Sequence, residues 1–412
     1  MGYIVGGSVR DFLLGREVKD HDIATDALPD EICKLFPNAI TVGKAFGVIK
    51  VPIRSGIVLE VATFREDLGY EDYRHPKGVR FTGPSEDARR RDFTVNALFY
   101  DAKAGRILDF TDGLVDLKAG IVRAIGDPRE RFQEDALRLL RAVRFTTTLG
   151  FKLDPETEKA AAEKAKLVSK VSKERIRDEL TLMWTGPRPA EALELLSRLG
   201  LLKHVLPEVE ALKEVGPDLW NHTLKLLRCA VQQRGAGETK SMPLSWALLL
   251  HDIGKPVVAK KDGPFTGHEI QAAKLIHEIG GRLKFARSET DKIAKLVEEH
   301  IRFREAFKMR EATLQRWVRE EHFEDLLRLH RADATTTDGN LAYYDFCLSK
   351  LREARETESD FKLIDGKDLI QLGFKPGPEF TRILRTIEDL AIERTLTSKE
   401  QALEYVVKHF VG

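Results

Sequence analysis

The spacing of apolar residues along this chain changes character once, near residue 127. Before that point, short apolar runs alternate with helical patches. Ala39-Ile40-Thr41-Val42, Val48-Ile49-Lys50-Val51 and Ile57-Val58-Leu59-Glu60-Val61-Ala62 are predicted strands, the last rich in β-branched residues. After residue 127 nearly everything repeats with helical periodicity. The breaks fall at Gly150, Gly186-Pro187, Gly200, Pro207, Gly216-Pro217 and between Gly235 and Gly237. The pattern predicts an α+β protein, a small sheet-bearing head followed by a long all-α body. One helix is predicted over Arg131 to Phe145. At about 100° per residue, Ala136, Leu139, Leu140 and Val143 share one arc, and Glu134, Asp135, Arg138 and Arg141 share the opposite one. Asp135 and Arg138 are three apart, so they are neighbours that could offer an acceptor and a donor to a nucleobase edge, or form an ordinary surface ion pair.

The densest candidate chemistry is at the start. Tyr3-Ile4-Val5 leads into Gly6-Gly7-Ser8-Val9-Arg10-Asp11, and a helical pattern follows at once. Glycines let backbone N–H groups crowd an anion, and Arg10 in the first helical turn suits a phosphate. Asp20-His21-Asp22 follows. On a strand, residues two apart face the same way, and two adjacent carboxylates are stable together around a cation, which points to Mg²⁺. Each piece alone also fits a turn or a solvated loop. Together they are the minimum kit for nucleotidyl transfer by a two-metal route. No Walker loop occurs. Glu60, on a neighbouring predicted strand, is the candidate third carboxylate. Arg89-Arg90-Arg91-Asp92 sets guanidinium groups for a triphosphate beside a carboxylate for a ribose hydroxyl. The polar stretch from Arg65 to Phe81, with its Gly and Pro, reads as a mobile loop.

Composition adds limits. The 412 residues carry 67 Lys and Arg against 66 Asp and Glu, so RNA contact would rest on local patches. Cys33, Cys229 and Cys347 are scattered, as in reduced thiols of a cytoplasmic protein. No apolar run reaches membrane length.

In order along the chain, Gly6-Gly7-Ser8-Val9-Arg10-Asp11, Asp20-His21-Asp22, Arg90-Arg91-Asp92-Phe93-Thr94-Val95-Asn96-Ala97, Asp109 through Asp116-Leu117, Glu134-Asp135-Ala136-Leu137-Arg138 and Lys173-Glu174-Arg175-Ile176 together resemble the motifs of the class II tRNA nucleotidyltransferases and bacterial poly(A) polymerases. The resemblance covers roughly the first 180 residues. It implies a polymerase-β-like nucleotidyltransferase head at 1–126 and a helical neck at 127–185. A body at 186–345 and a tail at 346–412 would follow. It implies that Asp20 and Asp22, with Glu60, hold catalytic Mg²⁺, and that Gly6, Gly7, Arg10, Arg90, Arg91, Asp92, Asn96, Arg141 and Arg144 bind the nucleotide. Asp135 and Arg138 would read the incoming base, with the tRNA 3′ end, CTP and ATP as partners. The stretch from Arg65 to Phe81 would be the element that switches from C to A. An A-adding enzyme or a poly(A) polymerase shares these motifs.

A second constellation follows. His222, His251-Asp252, His268, His300 and Asp333 all sit on helical pieces, and imidazoles with carboxylates from several helices make a divalent-metal site. It resembles an HD domain at about 218–335. That resemblance implies metal-dependent phosphohydrolase chemistry, phosphatase or 2′,3′-cyclic phosphodiesterase, with a metal of unspecified identity. His268 and His300 exceed the four ligands of the simplest pattern, so two metals fit. A retained helical body with a silent site also fits, as does the converse, an HD hydrolase whose head only binds nucleotide or RNA. In the tail, Lys367, Lys375, Arg382 and Arg385 are candidates for contacts to the tRNA backbone or for a solvated helix face.

Overall fold

The structure, a computed structural model, describes residues 1–18, 21–44, 47–53, 57–69, 78–235, 240–259, 265–356 and 362–410. The chain divides into two compact units, Met1–Glu214 with Ile279–Phe285, and Val215–Glu278 with Ala286–Gly412.

The first unit opens with strand β1 (Gly2–Val5), helix α1 (Gly7–Leu13) and β2 (Asp22–Thr25). Helix α2 (Pro29–Leu35), β3 (Val48–Pro52) and β4 (Val58–Thr63) follow, then the hairpin of β5 (Arg65–Asp67) and β6 (Val79–Phe81). Helix α3 (Pro84–Arg89), β7 (Leu98–Asp101) and β8 (Arg106–Asp109) complete the sheet region, and helix α4 (Gly113–Ala119) follows. Six strands form one sheet in the order β3-β4-β2-β1-β7-β8, with β2 and β4 parallel and the other pairs antiparallel. Tyr3, Val5, Phe64 and Phe99 cluster in the core, and a second cluster gathers Ile32, Ile49, Val51 and Val61. The alternation of these residues along β1, β3 and β4 sends one set to each packed face.

Two expectations need correction. Residues 39–42 form no strand, only a single bridge from Ile40 to Lys50. Ile40 and Val42 are 45% and 77% exposed, so no buried face extends the pairing. The helix over Arg131 to Phe145 is two helices, α5 (Pro128–Glu134) and α6 (Leu137–Leu149). Between them Asp135 is extended, at φ −136° and ψ 104°, and its Oδ1 accepts from the Leu137 amide at 3.0 Å. An aspartate that caps the following turn competes with the helix that would otherwise run through it. Helix α6 then packs against the helix Lys173–Trp184, with Leu139, Leu140, Val143, Ile176 and Leu180 buried. The sheet and these helices lie in one unit.

The second unit is helical. Helices Pro217–Gln232, Met242–Leu250, Arg287–Glu299, Glu311–Val318 and Phe323–Thr337, with the short 3-10 helix Arg302–Lys308, surround a core that includes Trp246, Phe303, Trp317 and Phe323. Ser245 to Leu250 are all buried, which fits a helix hydrophobic all round. Ile364, Leu369, Ile383, Ile387, Leu396, Ala402 and Val406 form a separate cluster near the end. Among the described residues, no helix is long and apolar enough to cross a membrane.

Candidate active site

Gly6, at the turn from β1 into α1, takes φ 74° and ψ −135°. A Cβ there would stand 3.2 Å from Arg91 Nη1 and 3.8 Å from Asp22 Oδ2. The backbone conformation therefore favours glycine, and a side chain there would also push Arg91 aside by a few tenths of an ångström. Asp22 opens β2 and is paired with Val5 on one side and Glu60 on the other. Asp20 lies outside the described residues, as do residues 70–77 of the Arg65–Phe81 stretch.

Gly6, Gly7, Arg10, Asp22, Arg90, Arg91, Asp92, Asn96, Asp135, Arg138 and Arg141 line one cavity of about 470 Å³. Arg144 lines an adjoining space of about 290 Å³ that shares Gly7, Arg10, Asp22 and Phe145. Glu60 lines neither; although its register places it beside Asp22, its half-exposed carboxylate pairs with Lys50 Nζ at 2.8 Å. The expectation of Glu60 as a third metal ligand thus meets an ion pair that would have to open first.

The cationic groups are held in place by carboxylates. Buried Asp87 bonds Arg90 Nη2 at 2.7 Å and Arg91 Nη2 at 3.1 Å, and it accepts from the Arg65 amide. Arg10 donates to both oxygens of Asp11, at 2.9 and 2.8 Å, and to Asn96 Oδ1. Asn96 Nδ2 donates to Asp92 Oδ1 at 3.1 Å, and Arg141 Nε donates to Asp92 Oδ2 at 2.7 Å. Burial alone would raise the Asp92 pKa; the Arg141 charge and the bonds from Asn96 and Arg141 outweigh it and hold the group at about 2.

Asp135 and Arg138 both reach the cavity but do not pair with each other. Asp135 accepts from Arg175 Nη2 at 3.0 Å. Arg138 donates to Glu134 Oε2 at 2.8 Å, to the Arg131 carbonyl at 3.2 Å and to the Arg90 carbonyl at 2.9 Å. Arg144 donates to Glu179 at 2.6 Å and lies 4.1 Å over the Phe145 ring. Arg175, Leu137 and Phe145 line the cavity without having been singled out as site residues. The pattern Lys173-Glu174-Arg175-Ile176 was visible, but its partner lies 40 positions away.

In the second unit, His222, Asp252, His268, His300 and Asp333 line a cavity of about 550 Å³. His251 sits against it, its ring centroid 5.5 Å from those of His222 and His300. His251, His268 and His300 each direct Nδ1 at the carbonyl three residues earlier, at 3.1, 2.8 and 2.5 Å. A carbonyl only accepts, so each Nδ1 carries a proton, and in the neutral ring each Nε2 presents a lone pair. His251 Nε2 is buried and faces the Asp252 carboxylate. The ligand atoms fall into two sets, His222, His251 and Asp333, and Asp252, His268 and His300. Asp252 lies between them, with Oδ2 3.2 Å from His251 Nε2 and Oδ1 3.5 Å from His268 Nε2. Burial keeps His300 neutral, its pKa near 4. This donor set suits divalent metal. A third group, Glu299, Glu320 and His322, is an ion-pair network instead. There Arg302 and Lys295 neutralise the carboxylates, and Trp317 Nε1 donates to Glu299 at 2.9 Å.

Lys225, Lys255, Arg304 and Tyr343 also line this cavity, and Lys255 Nζ lies 2.7 Å from Asp252. None of the four stood out in the sequence, where each is one charge or ring among many.

Residues 2–123 match the poly A polymerase head domain, 150–213 the probable RNA and SrmB-binding site of polymerase A, and 219–338 the HD domain. The CCA-adding enzyme of Levilactobacillus brevis is 33% identical over 402 residues, 97% of this chain and 92% of that one. The chain belongs to the CCA-adding enzyme family. The CCA-adding enzyme of Geobacillus kaustophilus is 35% identical over 97% of this chain and 89% of its own length. Among solved structures, the Bacillus stearothermophilus CCA-adding enzyme in complex with CTP is 28% identical, with a TM-score of 0.73 over 99% of this chain and 92% of that chain. The Thermotoga maritima CCA-adding enzyme complexed with tRNA shares the fold at a TM-score of 0.61 and 19% identity, over 99% of this chain and 90% of its own. Members of this family are nucleotidyltransferases, and their head and HD domains generally depend on divalent metal.

Proposed function

We propose that this protein adds CCA to the 3′ end of tRNA from CTP and ATP without a nucleic-acid template. The observation that carries this is the single cavity joining Asp22, the Arg90–Arg91 pair and the Asp135–Arg138 pair. Arg90 and Arg91, fixed on Asp87, receive the triphosphate. Asp92, held ionised by Arg141, accepts from a ribose hydroxyl. Asp135 and Arg138 present an acceptor and donors to the base, so that GTP or UTP would leave hydrogen bonds unmade. Asp22, with Asp20, would hold Mg²⁺, which when bound supplies Lewis acidity toward the 3′-hydroxyl and the triphosphate.

The second unit carries a second activity in this reading, a metal-dependent phosphohydrolase acting on phosphorylated RNA ends. His222, His251 and Asp333 would hold one divalent ion, and Asp252, His268 and His300 another. Lys225, Lys255 and Arg304 receive the phosphoryl group. Domain limits follow the head at 1–126, neck at 127–185, body at 186–345 and tail at 346–412.

The test is extension, at single-nucleotide resolution, of tRNA transcripts lacking CCA or ending in C or CC, each with CTP, ATP or both. Completion of CCA on all three followed by a stop supports the reading. A single A on the CC end alone makes it an A-adding enzyme, and a long A tail makes it a poly(A) polymerase.

A further inference from the structure

The second unit contains another cavity, of about 120 Å³, that shares no lining residue with the histidine site. Arg234 enters it from beyond the helix Pro217–Gln232, and Arg328 and Arg331 from the helix Phe323–Thr337. Ser241 and Ser245, at the start of the helix Met242–Leu250, and Tyr344 complete the polar wall. Three guanidinium groups around so small a space repel one another. Asp325, with Oδ1 3.4 Å from Arg328 Nη1 and Oδ2 accepting from Ser241 Oγ, offsets part of this, and Arg234 and Arg328 have further partners of their own. Arg331 Nε is buried without an acceptor, and its guanidinium lies 5.4 Å from the Tyr344 ring, a face that attracts charge but leaves that N–H unmet.

We propose that this cavity binds a single phosphoryl group. A tetrahedral oxyanion fits the volume, whereas drug-sized and nucleotide-sized ligands need roughly 300 Å³ or more. Guanidinium forks are its usual donors; the Ser241 and Ser245 hydroxyl protons are already committed, to Asp325 Oδ2 and to the Ser241 carbonyl. The occupant would bridge the helix that carries Asp333 and the helix that ends just before His251. Arg331 lies two positions before Asp333 on one. Leu248, whose carbonyl receives the His251 Nδ1–H, lines the same cavity from the other. The group can come from free phosphate or from an RNA backbone. The site stands independently of both proposed activities, since none of its residues belongs to either.

The test is hydrogen–deuterium exchange on the full chain in EDTA, so that neither metal site recruits phosphate. Three states are compared: no addition, inorganic phosphate, and a single-stranded RNA oligonucleotide. Inorganic phosphate should slow exchange severalfold in the first turns of Met242–Leu250 and around Arg331, and the effect should vanish in Arg331→Gln. Arg234→Gln, at a helix end, gives the same reading if Arg331→Gln fails to fold. Protection by RNA but not by free phosphate, lost in the same variants, assigns the group to a nucleic-acid backbone. No protection by either probe, or equal protection in the variants, overturns the proposal.

Discussion

Replacing Asp92 with asparagine isolates one charge in the head. The side chain keeps its shape, and its oxygen can still accept from the Phe93 amide and Asn96 Nδ2, as Asp92 Oδ1 does at 2.8 and 3.1 Å. The other position changes from an acceptor to an amide donor facing Arg141 Nε, so two donors oppose each other across 2.7 Å. The folded carboxyl has a pKa of about 2 against 3.8 for the unfolded chain. That difference corresponds to roughly 2 kcal/mol of stability at neutral pH. Because the folded value is depressed, the contribution is complete above the unfolded pKa and is lost as pH falls through the folded one. Nearly all of it remains at pH 5, about half at pH 3, and little below pH 2. In a unit of this size about 2–4 °C of melting temperature corresponds to each kcal/mol, so Asp92→Asn should melt roughly 4–8 °C lower at pH 7. Differential scanning calorimetry of both proteins at pH 7, 5, 4 and 3 checks it. No gap at pH 7, or a gap at pH 3 as wide as at pH 7, refutes a stabilising Asp92 charge.

Gly6→Ala forces a Cβ onto a backbone at φ 74° and pushes Arg91 Nη1, 3.2 Å away, by a few tenths of an ångström; nucleotide addition should drop roughly tenfold as the turn strains, read by primer extension. Asp135→Ala and Arg138→Ala should each lose CTP and ATP selectivity, because the discarded hydrogen bonds are worth about 1–3 kcal/mol apiece; competition assays with UTP and GTP measure the change, and unaltered selectivity sinks the base-reading assignment. Metal analysis by plasma mass spectrometry should find two divalent ions in the second unit and one after His268→Ala with His300→Ala, while tRNA extension stays intact; a single ion in the unaltered site defeats the two-set reading.

Local signals carried the sequence as far as single elements, and failure came where an answer depended on tertiary partners. Gly6 was legible because β1, the turn and α1 are contiguous. The histidine set was legible because its residue types have few other reasons to recur on helices. The strand at 39–42 was not, because β-propensity describes a chain that also has a face to bury, and Ile40 and Val42 have none. The break at Asp135 hid inside a continuous helical period, where periodicity records which residues are apolar but not which side chain caps its own backbone. Arg175 was out of reach for a different reason, since it acts through Asp135 on another element. Asp87 acts on Arg90 and Arg91 three and four positions on, a spacing that an ordinary surface ion pair shares; only its burial singles it out.

Those unforeseen partners explain how a site so rich in charge folds at all. Arg10, Arg90, Arg91, Arg138 and Arg141 converge on one cavity, and unopposed they would destabilise the unit through mutual repulsion. Each is tied to a group of this chain: Arg10 to Asp11, Arg90 and Arg91 to Asp87, Arg138 to Glu134, and Arg141 to Asp92. Asp87 is the most economical of these, since one fully buried carboxylate fixes two guanidinium groups. A triphosphate arriving at such a site meets donors already oriented and loses little to reorganisation, which is where electrostatic catalysis gains most. The same ties set a constraint on base reading. In the proposed mechanism Asp135 and Arg138 turn toward the nucleobase while Arg175, Glu134 and the Arg90 carbonyl still hold them, so the base is measured against fixed groups. Selectivity therefore depends on Arg175 and Glu134 as much as on the two residues that touch the base.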